Sequence, residues 1–90
     1  MKLFVPPEIA PELRVALEEI FLEADITVCE SGKRLCLNPR ENGLSVRVTE
    51  QKVEIAYNRK CELFRGIGLA KEHFDERDFF IEEIPAYKTL

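Results

Sequence analysis

The sequence predicts an α+β domain in which two helices pack on one face of a single, mostly antiparallel sheet. Two stretches carry apolar residues at the helical period, and five short runs are β-prone or alternate between apolar and polar residues. Their order along the chain is β-α-β-β-β-β-α. The chain has 90 residues, 46% hydrophobic and 33% charged, which suffices for one compact core.

The first predicted elements are a short strand and a helix. Lys2 to Val5 is β-prone and is followed by two prolines, which lack the amide donor of a paired strand. Pro11 suits the first turn of a helix, where the carboxylate of Glu12 meets the positive helix end. We therefore expect a helix over about residues 11–25, with a sheet-facing stripe of Leu13, Ala16, Leu17, Ile20, Phe21 and Ala24.

A first hairpin is predicted around Ser31-Gly32, because glycine readily takes the positive φ that a two-residue turn requires. Its strands are residues 26–30 and 33–37. Pairing outward from the turn would place Val28 opposite Leu35 and Ile26 opposite Leu37.

A second hairpin is predicted from residues 44–49 and 52–57, which alternate between apolar and polar residues. With Glu50-Gln51 as the turn, Arg47 faces Glu54 across the strands. Such an opposite-charge pair contributes a few tenths of a kcal/mol.

The second helix is predicted over NRKCELFRGIGLAKEHF, residues 58–74, although it contains Gly66 and Gly68. Each glycine costs about 1 kcal/mol relative to alanine inside a helix. Both flank the inner stripe of Leu63, Ile67, Ala70 and Phe74, which has Phe64 at one margin. Two explanations stay open: the glycines relieve crowding against the sheet or the first helix, or they let a partner approach the helix backbone.

Apolar residues also occur on the helix faces that turn away from the predicted sheet. Val15 and Leu22 share this face on the first helix; Cys61 and Leu69 lie there on the second, with Arg65 between them. Single exposed apolar residues are normal, but their presence on both helices predicts a docking surface. We expect the helical layer to be sandwiched between its own sheet and another domain.

Charge and cysteine content limit the possible partners. The net charge of −4 and the absence of clustered Lys and Arg argue against a nucleic-acid partner. Cys29, Cys36 and Cys61 match neither a zinc motif nor a disulfide framework, so reduced thiols are expected. Without a recognisable signal peptide or membrane span, a cytoplasmic protein with no membrane partner is predicted.

The sequence offers little for catalysis. His73 lies near a predicted helix end, where it favours the helix dipole, and lacks a partner at catalytic spacing. RGIGLA lacks the spacing of a phosphate-binding loop. Glu82 and Glu83 resemble a glycosidase carboxylate pair, but neighbouring residues of an extended chain point to opposite sides. We expect no catalytic residue, metal or cofactor site here.

The last part of the chain, DERDFFIEEIPAYKTL, contains no helix cap and no glycine turn that would return it to the domain. This pattern is typical of a connector between domains. The predicted organisation is therefore an accessory domain over residues 1–76, followed by an extended connector over residues 77–90.

Three features carry a resemblance to a known family: the strand containing Val53, Ile55 and Tyr57, the helix with LFRGIGLA, and the tail FFIEEIPAYKTL. Together they resemble the N-terminal domain of the β-N-acetylhexosaminidases of glycoside hydrolase family 20. In that family a helix with an FRGLGLL-like motif is followed by an EExPxFK-like segment that enters a catalytic (β/α)8 barrel. The match covers mainly residues 44–90.

The resemblance implies a non-catalytic domain whose helices face the C-terminal catalytic barrel of the same chain. That barrel would remove terminal N-acetylglucosamine or N-acetylgalactosamine by a retaining, substrate-assisted mechanism, and the glycan would contact the barrel. No metal or organic cofactor is implied. Similar domains precede the barrels of α-glucuronidases and family 84 enzymes. A free-standing α+β module that docks a protein through the same helix faces is the alternative from another class.

Overall fold

The computed structural model describes residues 1–84, which form one six-stranded sheet and two helices. The strand order in the sheet is β2-β1-β3-β5-β4-β6. In chain order the elements are β1 (Lys2–Phe4), α1 (Pro11–Leu22), β2 (Thr27–Cys29), β3 (Lys33–Pro39), β4 (Leu44–Thr49), β5 (Lys52–Tyr57), α2 (Lys60–Glu72) and β6 (Asp78–Glu83).

Both helices contribute to one apolar core on one face of the sheet, so the predicted α+β class and the two-layer arrangement are confirmed. The core is built from the inward residues of the strands and the inner stripes of the helices. Its fully buried side chains include Leu3, Leu17, Phe21, Leu35, Val46, Val53, Ile55 and Ile67. Phe21 of α1 and Phe74, just after α2, contact each other edge to face with ring centroids 6.0 Å apart.

The second predicted hairpin is confirmed. β4 and β5 pair antiparallel, with Val46 opposite Ile55 and Arg47 opposite Glu54. The Arg47 Nε to Glu54 Oε1 distance is 3.9 Å. This pair lies on the sheet face opposite the helices, as the alternation predicted.

The first predicted hairpin is wrong, because β2 and β3 do not pair with each other. β1 lies between them and runs parallel to both, with Leu3 level with Val28 on one side and Lys33 on the other. Gly32 does take a positive φ of +102°, as predicted. A Cβ there would lie 2.3 Å from the Lys2 carbonyl oxygen, so glycine lets the β2–β3 link pass close to β1.

The sheet is mixed in strand direction, with parallel pairing across its N-terminal half. β3 and β5 are also parallel, whereas β4 is antiparallel to both β5 and β6. β6 therefore runs in the same direction as β5. Since α1 links β1 to β2 and α2 links β5 to β6, both helices begin at the same end of the sheet.

The predicted domain boundary at residue 76 is corrected by β6. All six of its residues pair with β4, from Asp78 opposite Thr49 to Glu83 opposite Leu44. Phe79 and Ile81 pack against the core from this strand. This part of the predicted connector therefore belongs to the sheet, while its last residues, 85–90, lie outside the described part of the chain.

Local interactions account for the helix ends. Pro11 occupies the start of α1 as predicted, but the helix ends at Leu22 rather than near residue 25. Asp25 takes a φ of +60°, a left-handed conformation that stops the helix before β2. At the start of α2, the Glu62 carboxylate accepts hydrogen bonds from the backbone amides of Asn58 and Arg59.

Candidate functional site

The outer side of α1 exposes the two apolar residues that the sequence singled out. Val15 is 56% exposed and Leu22 63% exposed. Seven residues of an ideal helix rotate by about 700°, which is about 20° short of two full turns, so the side chains of Val15 and Leu22 point in nearly the same direction. Neither belongs to the core, and burying them would therefore take a partner outside the described residues.

The three candidate residues on α2 have different environments. Cys61 is exposed, as predicted. Leu69 is half-buried and packs against the core, so it is less available to a partner than predicted. Arg65 is exposed, but its guanidinium binds the Glu83 carboxylate of β6.

The Arg65–Glu83 contact is a two-point ion pair. The Nε and Nη2 atoms of Arg65 donate to the two carboxylate oxygens of Glu83, each at 2.6 Å. The hydrogen bond from Arg65 holds the pKa of Glu83 below its usual value of 4.5. The same contact raises the pKa of Arg65. Arg65 therefore fastens α2 to β6 in this chain.

A groove opens between the first turns of the two helices. Its volume is about 440 Å³ and its lining is largely apolar, with Tyr57 at the end of β5 forming part of it. Phe64 lines the groove from α2 and is 40% exposed. The other lining residues are Ala10, Glu12, Leu13, Ala16, Lys60 and Leu63.

The sequence assigned Phe64 to the margin of the inner stripe and did not include it among the docking residues. It lies about 100° around the helix from Leu63, a position that borders both the core and the surface. A large aromatic residue at such a margin was the feature of the sequence that could have indicated its exposure. Phe64 joins Val15, Leu22 and Cys61 in what we call the outer patch.

The two glycines of α2 have different environments. A Cβ on Gly66 would lie 2.8 Å from Ile55 Cγ2 and 2.9 Å from Leu44 Cδ1, so this glycine lets the helix lie close to the sheet. A Cβ on Gly68 would meet nothing within 4 Å. Crowding against the sheet thus explains Gly66, but it does not explain Gly68, which lies beside Cys61 and Phe64 on the outer face of the helix.

The two neighbouring glutamates of β6 do not form a catalytic pair. Glu82 binds Arg40 on one face of the sheet, with an Nη2 to Oε2 distance of 3.0 Å. Glu83 binds Arg65 on the helical face. The prediction that they point to opposite sides is confirmed, although they belong to a strand of the sheet rather than to a linker.

His73 caps the C-terminal end of α2, near which the sequence analysis placed it. Its backbone amide donates to the Leu69 carbonyl, and its ring stacks on Phe79 with centroids 3.9 Å apart. The ring Nδ1 also contacts the carboxylate of Glu76. These contacts join the end of α2 to the start of β6.

Lys33 provides a second link to the end of α2. Its Nζ donates to the backbone carbonyls of Phe74 and Glu76, the latter at 2.9 Å. Desolvation is the main cause of a lowered pKa for this ammonium group. The contacts of Lys33 are structural.

Within residues 1–84, no group of three or more His, Cys, Asp or Glu side chains is placed to hold a metal ion. The helices of this same part of the chain are too short or too polar to cross a membrane. Cys29, Cys36 and Cys61 are free cysteines. Comparison with protein-family models, with curated proteins and with solved structures gave no match to this chain.

Proposed function

We propose that this chain is a non-catalytic α+β accessory domain that docks the outer surface of its helical layer on a larger protein. The observation that carries the proposal is the outer patch together with the adjacent groove. Val15, Leu22 and Phe64 are exposed although the core beneath them is complete without them. Apolar contacts of this kind become favourable by about 25 cal/mol for each Å² that a partner removes from water.

Gly68 supports a partner at this surface. A glycine inside a helix lowers stability by about 1 kcal/mol relative to alanine, and the described residues offer no contact that requires it. A partner that packs closely on the outer face of α2 supplies such a requirement. The three free cysteines fit the cytoplasmic location that forms part of the proposal.

A more specific form of the proposal names the partner as the C-terminal barrel of a β-N-acetylhexosaminidase. Its support is the resemblance of LFRGIGLA and FFIEEIPAYKTL to the family 20 pattern. In this form the helices of the accessory domain lie against the barrel, and the barrel removes terminal N-acetylhexosamine from a glycan. The corresponding domains of α-glucuronidases and family 84 enzymes are the alternatives within glycosidases.

A free-standing interaction module is the second candidate function, and β6 favours it. Residues 78–83 complete the sheet, whereas a connector would leave this segment outside the domain. Arg65 and Arg40 each bind a glutamate of β6, so the strand is held on both faces. In this form the docking surface is the same but the partner is a separate protein.

Hydrogen exchange tests the docking surface. The 90-residue chain is compared with the complete product of its gene, and amide exchange is followed across α1 and α2. We expect slower exchange around the outer patch in the complete product, and a Leu22→Gln, Phe64→Gln double variant should lose that difference. Slower exchange confined to the sheet face opposite the helices would contradict the proposal.

Activity measurements separate the two forms. Turnover of an aryl N-acetylglucosaminide by the complete gene product, with none from the 90-residue chain, would support the glycosidase form. If the gene encodes no further domain, that form is wrong. The free-standing module then predicts that the 90-residue chain alone captures a partner, and that the double variant does not.

A further inference from the structure

β6 lies at the edge of the sheet, and no strand formed by residues 1–84 lies along its outer side. Among the described helices and strands, only β4 lies beside it. In an antiparallel pair, alternate residues direct their N–H and C=O groups away from the partner strand. The outer side of β6 therefore presents a row of hydrogen-bonding groups over Asp78–Glu83.

This edge lacks several of the structural protections that are common on exposed strands, although it does carry charged side chains. The opposite edge of the sheet, β2, has only 3 residues, and short edge strands discourage pairing. β6 has 6 residues and pairs with β4 without a bulge. It contains neither proline nor lysine, two residues that proteins commonly place on exposed edges. β6 is thus long and regular enough to accept another strand.

The side chains of β6 discriminate between possible occupants. The strand carries Asp78, Glu82 and Glu83 and has no basic residue. Glu83 binds Arg65 and the Oε2 atom of Glu82 binds Arg40, whereas the ion pairs among the described residues do not include Asp78. If two copies paired antiparallel about Phe80, Asp78 would face Glu82 of the other copy on both sides of the centre. Like charges directly opposite each other are unfavourable. The charge pattern therefore disfavours a second copy and favours a strand that carries positive charge.

Phe80 adds an apolar contact at the centre of the edge. It lies on the face opposite the helices and is 50% exposed, with the Arg47 guanidinium 4.6 Å from the ring centre. Asp78 and Glu82 flank it on the same face, because they lie two residues away in a strand. A matching strand would alternate basic, apolar and basic side chains on this face.

We propose that the outer edge of β6 is a strand-addition site for an extended polypeptide segment that presents basic residues on either side of an apolar one. Backbone hydrogen bonds would hold the segment along β6, and the side chains of Asp78, Phe80 and Glu82 would select it. This site is separate from the helical docking surface and does not depend on it.

A designed peptide, acetyl-Lys-Val-Phe-Val-Lys-Thr-amide, is the probe for the 90-residue chain. Titration followed by amide chemical shifts should locate binding at β6, with slower hydrogen exchange at outward-facing amides of residues 78–83. The matched peptide with Glu in place of both Lys residues should bind at least tenfold more weakly. N-methylation of the peptide backbone should also weaken binding by at least tenfold, because it removes the donors of the added strand.

Charge exchange on the protein provides the decisive control. An Asp78→Lys, Glu82→Lys variant should prefer the Glu peptide over the Lys peptide. A Glu8→Lys, Glu19→Lys variant has the same net charge but alters exposed residues outside the sheet, and should keep the original preference. Binding that follows net charge alone, binding mapped to the helices, or self-association of the chain through β6 would each overturn the proposal.

Discussion

Replacing Gly68 and Gly66 by alanine, one at a time, is expected to change the free energy of unfolding in opposite directions. Both residues lie inside α2, where alanine is favoured over glycine by about 1 kcal/mol. At Gly68 the added methyl group meets no atom within 4 Å, so the full gain remains. Gly68→Ala should therefore stabilise the isolated chain by about 1 kcal/mol.

At Gly66 the same gain is opposed by overpacking. The added Cβ would lie 2.8 Å from Ile55 Cγ2 and 2.9 Å from Leu44 Cδ1, and both side chains are buried in the core. Overpacking a core costs about 1–3 kcal/mol. After the gain in helix propensity is subtracted, Gly66→Ala should destabilise the chain by up to about 2 kcal/mol, with about 1 kcal/mol as the central value.

Urea unfolding followed by helical circular dichroism measures both variants. The expected separation between them is about 2 kcal/mol, and 1 kcal/mol corresponds to about 4–8 °C in Tm for a domain of this size. Unchanged m-values would show that the variants unfold from similarly compact states. Equal stabilisation by both substitutions would refute the close contact at Gly66, and destabilisation by Gly68→Ala would refute the open surface at Gly68.

Three further substitutions test other parts of the structure by thermal and urea unfolding. Gly32→Ala should destabilise by about 2 kcal/mol or more, because φ is +102° and the new Cβ would lie 2.3 Å from a backbone oxygen of Lys2; a neutral result would contradict the tight β2–β3 link. Glu83→Gln should lower Tm at pH 7 but not at strongly acidic pH. Because the pKa of Glu83 is lowered in the folded chain, the carboxylate stabilises the fold above about pH 4.5, and this stabilisation is lost as the pH falls through the lowered pKa. A Tm difference that persists in acid would contradict this. Leu22→Gln should change stability by less than about 0.5 kcal/mol, since an exposed residue outside the core contributes little; a larger loss would show that Leu22 supports the fold.

Local periodicity predicted the helices and the second hairpin because those features depend on residues close in sequence. The stripe containing Leu17 and Phe21 and the facing pair of Arg47 and Glu54 both occur as predicted. The first hairpin was wrong for a different reason. The alternation around Val28 is the same whether its neighbour is β3 or β1, so the insertion of β1 left no local signal.

The exposure of the candidate docking residues was predicted where their surroundings are local in sequence. Val15 and Leu22 are exposed because the helical period places them opposite the core. Arg65 was assigned to an external partner because its actual partner, Glu83, lies in a segment that was interpreted as a connector. That segment lacks turn and cap signals of its own, and only its pairing with β4 shows that it belongs to the sheet.

The direction of β6 links the corrected boundary to the docking proposal. β6 runs parallel to β5, and Glu83 lies opposite Leu44 at the end of the sheet where β5 finishes at Tyr57. Tyr57 lines the groove between the first turns of the two helices. The described part of the chain therefore finishes at the end of the sheet on which this groove opens. If the partner proposed above follows in sequence, its connection begins beyond residue 83, at the groove end of the sheet, rather than at residue 76.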